Sequence, residues 1–128
     1  MKEAWDFINE LRTILSAISQ FKEIQIVPNA TLDQFPGCYI EFLGVRFLVA
    51  TTKRYWEEFD VNIHVVYVEA GTDILKNALD LADIVTNTIE TNTFTSVDSV
   101  VITSAATHYL EDRIQIIINL KGRKLVEE

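Results

Sequence analysis

Histidine and cysteine side chains are the first candidates for chemistry in this sequence of 128 residues, which has two histidines and one cysteine. His64 follows Asp60 and Asn62 at spacings of four and two in an alternating segment, where it could serve as a general base. The same spacing is typical of a solvated histidine on the polar face of a strand. We favour this second interpretation, because no nucleophile or oxyanion-binding motif stands at a recognisable spacing. We therefore expect no catalytic residue.

Metal and cofactor sites also lack the residues that they require. Cys38 alternates with Ile40 and Phe42, which predicts a small buried hydrophobic side chain rather than a reactive thiolate. A structural zinc site would have to recruit carboxylates from unrelated segments of the chain. The four glycines are too scattered for a dinucleotide fingerprint or a P-loop. We expect no metal and no cofactor.

Two pairs of adjacent acidic residues could in principle supply the two carboxylates of a glycosidase or hold a divalent cation. They are Glu57 with Glu58 and Glu111 with Asp112. Adjacent residues of a strand point to opposite faces, so the carboxylates within one pair diverge. We interpret both pairs as turn or surface charges.

The overall charge excludes some partners. Eleven Lys and Arg against nineteen Asp and Glu give a net charge of −8, which disfavours binding to a nucleic-acid backbone. Such a charge also keeps a protein soluble, and this explanation suffices by itself. The first residues are unlike a signal peptide, and no apolar run approaches the roughly 20 residues that cross a bilayer. We expect neither secretion nor a membrane span, and the sequon Asn29-Ala30-Thr31 therefore carries no weight.

Two segments have the apolar spacing of amphipathic helices. The first stripe runs from Ala4 to Ile18 and predicts a helix that ends near Ser19 or Gln20. The second helix is predicted over Asp73 to Thr91, after a break at Gly71. These two helices must hold in place the segments between and after them, which contain the candidate residues.

The remaining segments predict strands. A short extended stretch, Ile24 to Val27, precedes a turn-rich segment, and period-two alternation from Cys38 to Val68 predicts two or three strands. Further strands are predicted near Val97 to Ser104 and Arg113 to Leu120, followed by a loose polar tail over 121–128. The order helix, strands, helix, two strands predicts a single α+β domain over 1–128, with a largely antiparallel or mixed sheet packed against two helices.

The segment from Thr51 to Trp56 is predicted as a hairpin loop, and it combines two cations with two aromatic residues. This composition is enriched at protein interfaces. Alternatively, Tyr55 and Trp56 fold back to cover the edge of the core. The first interpretation predicts a subunit interface formed by Lys53, Arg54, Tyr55, Trp56, Glu57 and Glu58.

The layout of the chain resembles the tail-terminator family of long-tailed bacteriophages, which includes minor tail protein U of lambda-like phages. The shared pattern begins with the segment from Pro36 to Phe42 and continues with the polar loop and the alternating strand from Phe59 to Val68. It ends with the break at Gly71, the helix from Ile74 to Ile89 and a closing pair of strands.

The resemblance implies a non-enzymatic virion protein that assembles in the host cytoplasm as a homo-hexameric ring. Such a ring caps the head-proximal end of the tail tube, contacts the tube protein and the head-tail connector, and lets DNA pass without specific binding. Two alternatives remain open. The chain could be another head-tail joining protein of the phage neck, or a small α+β ligand-binding domain or enzyme with a pocket at His64.

Overall fold

The computed structural model describes residues 2–27, 31–69 and 71–127. Its elements, in chain order, are α1 (Lys2–Ser16), β1 (Glu23–Ile26), β2 (Gly37–Thr51), β3 (Arg54–Tyr67), α2 (Ile74–Thr91), β4 (Ser99–Leu110) and β5 (Arg113–Glu127). The predicted α+β class and the order helix, strands, helix, two strands are confirmed.

The five strands form one mixed sheet in the order β1-β2-β3-β5-β4. β1 pairs with β2 in parallel, whereas the β2–β3, β3–β5 and β4–β5 pairs are antiparallel. β3 and β5 lie inside the sheet, and their alternate residues 59–65 and 116–120 are almost completely buried. β4 forms one edge, and β1 covers only the first part of β2 at the other edge.

Both helices pack on one face of the sheet, and the hydrophobic core lies between them and the strands. The apolar stripes predicted from the sequence face this core, which contains Phe7 and Leu11 of α1, Val85 and Ile89 of α2, and alternate residues of the strands. Phe7 lies directly on Gly122 of β5. A Cβ atom at that position would come within 2.7 Å of the Phe7 ring, so the glycine admits the aromatic side chain to the sheet.

A β-bulge in β2 allows residues before and after it to face the core. The register shifts between Phe42 and Gly44, so that one extra residue, Leu43, is accommodated. Gly44 has a φ of +154°, a conformation that side-chain-bearing residues rarely adopt. As a result Phe42 and Val45 both pack against the core, although they are three residues apart.

Four predicted boundaries are wrong. The first helix ends at Ser16 rather than near Ser19 or Gln20, and Ile18 nevertheless stays buried in the turn that follows. The segment from Thr51 to Trp56 is not a loop, because β2 runs to Thr51 and β3 starts at Arg54. Only Thr52 and Lys53 form the turn. Side chains on long solvent-exposed strands can be polar, and this polarity led to the prediction of a loop.

The two strands near the C-terminus are also longer than predicted. β4 continues past Ser104 to Leu110, and β5 continues through the predicted tail to Glu127. Residues 121–127 pair with residues 54–60 of β3 along their whole length, so this segment is part of the sheet. Its sequence is polar because the helices do not cover it. Within the residues described, neither helix combines the length and the apolar composition needed to span a bilayer.

Candidate functional site

The β2–β3 hairpin and the end of β5 extend beyond the part of the sheet that the helices cover. The core ends at Val45, Phe59 and the contact of Phe7 with Gly122. Beyond this level three strands continue, over residues 46–51, 54–58 and 123–127, and we call this extension the arm. The arm contains the predicted interface residues from Arg54 to Glu58, and Lys53 lies in the turn at its tip.

The side of the arm that continues the helix-covered face is apolar and exposed. Phe47 has 58% of its surface exposed and Val49 has 84%. The rings of Phe47 and Tyr55 meet nearly edge to face, with centroids 5.9 Å apart at an angle of 66°. Together with Thr51, Thr52 and Arg54 they line a shallow hollow at the tip of the arm. Such a surface is typical of a contact site.

The opposite side of the arm carries a second apolar group. Trp56 pairs with Leu48 on one side and with Leu125 on the other, so these three side chains lie in one row across the strands. All three are half-buried. Neither Trp56 nor Tyr55 belongs to the hydrophobic core, which disfavours the alternative that they cover its edge.

The predicted interface residues have unequal exposure. Lys53 and Arg54 are exposed at the tip, and Arg54 Nε lies 3.3 Å from Glu127 Oε1. Glu57 and Glu58 point to opposite sides of the strand, as the sequence predicted. Glu58 is only 4% exposed, however, so its interpretation as a surface charge is wrong.

Glu58 is buried because two arginines bind it. Arg123 Nε donates a hydrogen bond of 2.8 Å to one carboxylate oxygen, and Arg46 Nε lies 3.9 Å from the other. Beside this group, Lys121 Nζ lies 3.2 Å from Asp60 Oδ1. These contacts link β2, β3 and β5 across the face of the sheet that carries no helix, which we call the open face. A carboxylate with such partners can be buried without an uncompensated charge.

His64 also lies on the open face, and the prediction that it is solvated is wrong. It is 8% exposed and stacks on Tyr39, with ring centroids 4.2 Å apart. Its Nε2 is 2.9 Å from Glu41 Oε1, and Gln115 Nε2 is 2.7 Å from its Nδ1. With this amide orientation Nδ1 accepts a hydrogen bond and Nε2 donates one to Glu41.

This arrangement leaves neither nitrogen of His64 free for a substrate. Gln115 Nε2 also donates to the hydroxyl of Tyr39, over 2.8 Å, so the amide group is engaged as well. A general base needs a lone pair within reach of the proton that it removes. The contacts of His64 instead connect β2, β3 and β5, like those of Glu58.

The other candidate residues lie apart from each other. Cys38 is fully buried, as predicted, and burial raises the pKa of its thiol to about 12. Glu111 and Asp112 form the turn between β4 and β5, where hydrogen bonds from Arg113 lower the pKa of Asp112. The described residues contain no group of three or more His, Cys, Asp or Glu arranged to hold a metal ion. Two residues of the sequon, 29 and 30, lie outside the described residues.

Several residues of the arm and of the open face were not predicted from the sequence. Leu125 and Arg123 lie in the predicted tail, and Phe47 and Val49 were predicted only as residues of an alternating strand. The alternation itself was a correct signal for the side on which they lie. It contains no information about where the covering helices end.

Comparison with known proteins assigns this chain to no family. No protein family model matches this sequence, and neither does any curated protein.

Proposed function

We propose that the chain is a structural subunit of a phage virion that assembles as a ring on the head-proximal end of the tail tube. The ring ends polymerisation of the tube and offers a surface to the head connector. The observation that carries the proposal is the arm, because Phe47 and Val49 are mostly exposed in the single chain. Exposed apolar surface of this kind is typical of subunit contacts.

The distribution of charge supports the same proposal. Six of the eleven basic residues lie on the arm or beside it: Arg46, Lys53, Arg54, Lys121, Arg123 and Lys124. The helices α1 and α2 together hold six acidic residues and three basic ones. Residues 46–60 and 121–127 also hold four acidic residues, so this region has a net charge of +2 in a chain of net charge −8. The arm is therefore a part of the chain where two copies repel each other little.

The net charge also suits a channel for DNA. On the open face the acidic residues Glu41, Glu58 and Asp60 are balanced by Arg46, Lys121 and Arg123, several of them in direct contact. Neither this balanced face nor the acidic helices concentrate free positive charge that would hold phosphate groups. DNA would therefore pass such a ring without being retained.

Electron microscopy of growing tail tubes tests the proposal. The exposed Asp83 on α2 is replaced by cysteine and labelled with a gold-maleimide. The wild-type chain is the control, because its Cys38 is fully buried and should not react. We expect one end of each tube to carry the label and tube growth to stop there. Label along the tube walls, or tubes that elongate past the label, would exclude the proposed role.

A further inference from the structure

β4 has an edge that lacks the usual protection of natural edge strands. It is the outermost strand of the sheet, it is 12 residues long, and its outer side has no strand partner in the part of the chain that the structure describes. Residues 99–110 contain no Lys, Arg, Asp, Glu or Pro. Such residues normally prevent edge strands from pairing with other chains, and the only irregularity in β4 is the register shift between Ile102 and Ser104.

The other side of the sheet has a second free edge. β1 pairs only with residues 37–40 of β2, so the outer side of residues 41–51 has no strand partner among the described residues. These eleven residues carry two charges, Glu41 and Arg46. The chain thus has two unpaired edges of similar length on opposite sides of one sheet.

The directions of the strands make the two edges complementary. β2 is antiparallel to β3, β3 to β5 and β5 to β4, so β4 runs opposite to β2. When a second copy is placed beside the first by rotation about an axis along the strands, β4 of one copy lies antiparallel to β2 of the next. The strand registers then place residues 99–104 of β4 at the level of residues 41–46 of β2, whereas residues 105–108 lie at the level of residues 37–40, which β1 covers. Joining these two segments therefore continues the antiparallel alternation of the sheet, and repeated joining in the same way can close a ring.

The complementary directions of the two edges indicate that the partner is a second copy. Two chains of net charge −8 repel each other over most of their surfaces, and the two edges are the places where long exposed stretches carry little charge. We propose that residues 99–104 of β4 in one copy pair with residues 41–46 of β2 in the next copy. The inference rests on the proposed function only in assuming that the chain forms a closed assembly, and it names the strands that hold that assembly together.

Hydrogen exchange of the wild-type chain tests the pairing. Backbone amides of residues 99–104 and 41–46 are followed by mass spectrometry in the monomer and in the assembled particle. Pairing predicts that exchange slows in both segments on assembly, because outward-facing N–H groups gain acceptors. An assembled particle in which β4 exchanges as in the monomer overturns the inference but leaves the proposed function intact. A chain that forms no ring would contradict both the inference and the proposed function.

The exchange pattern also separates other occupants of the edge. Protection of β4 without residues 41–46 indicates that two copies of β4 pair with each other, and this contradicts the proposal. Protection that appears only when another virion protein is added assigns the edge to that protein instead. This result also contradicts the proposal.

A matched pair of variants tests the edge independently. Val101 is exposed on β4 and lies opposite Lys121, so in Val101→Glu the new carboxylate has a cation within its own chain while the edge gains a charge. Leu79→Glu is the control, because it makes the same change at an exposed position of α2. We expect Val101→Glu to reduce the assembled fraction about tenfold and Leu79→Glu to leave it unchanged. Equal effects of the two variants would contradict the pairing.

Discussion

The two faces of the sheet are stabilised in different ways. On the helix-covered face, Phe59, Ile63 and their neighbours are buried under α1 and α2, and the contacts are apolar. The open face has no covering layer, and yet Glu58 and His64 are almost fully buried there, each hydrogen-bonded to a neighbouring strand. The stability of the helix-covered face depends on close packing of apolar side chains, whereas the stability of the open face depends on specific pairs of polar side chains.

The largest effect should come from the helix-covered face. Phe59 and Glu58 are consecutive residues of β3 that point to opposite faces, so they give a direct comparison. Phe59→Ala should lower the free energy of unfolding by about 3–5 kcal/mol, because it leaves a cavity under the helices. Urea denaturation of the variant measures this change. A loss below about 1 kcal/mol would mean that the helices do not pack tightly on this face.

The open face should show a smaller but specific effect. Glu58→Gln removes the charge that Arg123 and Arg46 share, and we expect a loss of about 1–3 kcal/mol. Glu57→Gln is the matched control on the same strand, and its effect should stay within about 0.5 kcal/mol. The same urea experiment compares the two variants. If both variants behave alike, the buried contacts of Glu58 do not stabilise the open face.

The carboxylate of Glu10, on the helix side of the sheet, makes the stability of the folded state depend on pH. Burial raises the pKa of Glu10, but hydrogen bonds from the backbone and hydroxyl groups of Thr95 and Ser96 lower it by more, so that the net pKa lies below the ordinary value. A lowered pKa stabilises the folded state above the pKa of the unfolded chain, about 4.3, and this stabilisation disappears as the pH falls through the folded-state value.

Glu10→Gln should therefore lower stability by about 1 kcal/mol at pH 7 and by much less in acid. Unfolding of both proteins in urea at pH 7 and at pH 3 measures the difference. A gap between wild type and variant that widens in acid would contradict the assigned direction of the pKa shift.

The arm should contribute least to the stability of the single chain. Trp56→Ala removes the centre of the row formed with Leu48 and Leu125, outside the core, and we expect a loss of about 1 kcal/mol or less. Assembly should weaken strongly, because a large aromatic side chain is lost from the proposed contact. Circular dichroism and sedimentation measure the two effects separately. An unfolded variant would show that Trp56 supports the core instead.

The sequence predicted the helix-covered face far better than the open face. The stripes of Phe7, Leu11, Val85 and Ile89 and the alternation along β3 and β5 report directly on which residues meet the core. The contacts of His64 with Glu41 and Gln115 join residues that are far apart in the chain, and only the register of the strands brings them together. Polarity alone predicted solvent exposure, and on this face that prediction was wrong.

The arm was mispredicted for a related reason. Lys121, Arg123 and Lys124 were read as a loose tail, although they pair with β3 over their whole length. Strand formation there depends on hydrogen bonds to a strand far away in sequence, and a polar strand without a covering layer has no apolar alternation to reveal it.

Light scattering over a range of salt concentrations tests most directly whether this chain closes into a ring. Six copies carry a formal charge of −48, so repulsion should favour the monomer at low salt. At higher salt the Debye length falls to about 8 Å and below, and the mass should rise to a fixed multiple of 14.6 kDa, most simply six. A mass that stays that of one chain at every salt concentration, with no ring at tube ends, would contradict the formation of a ring. So would a mass that increases without limit.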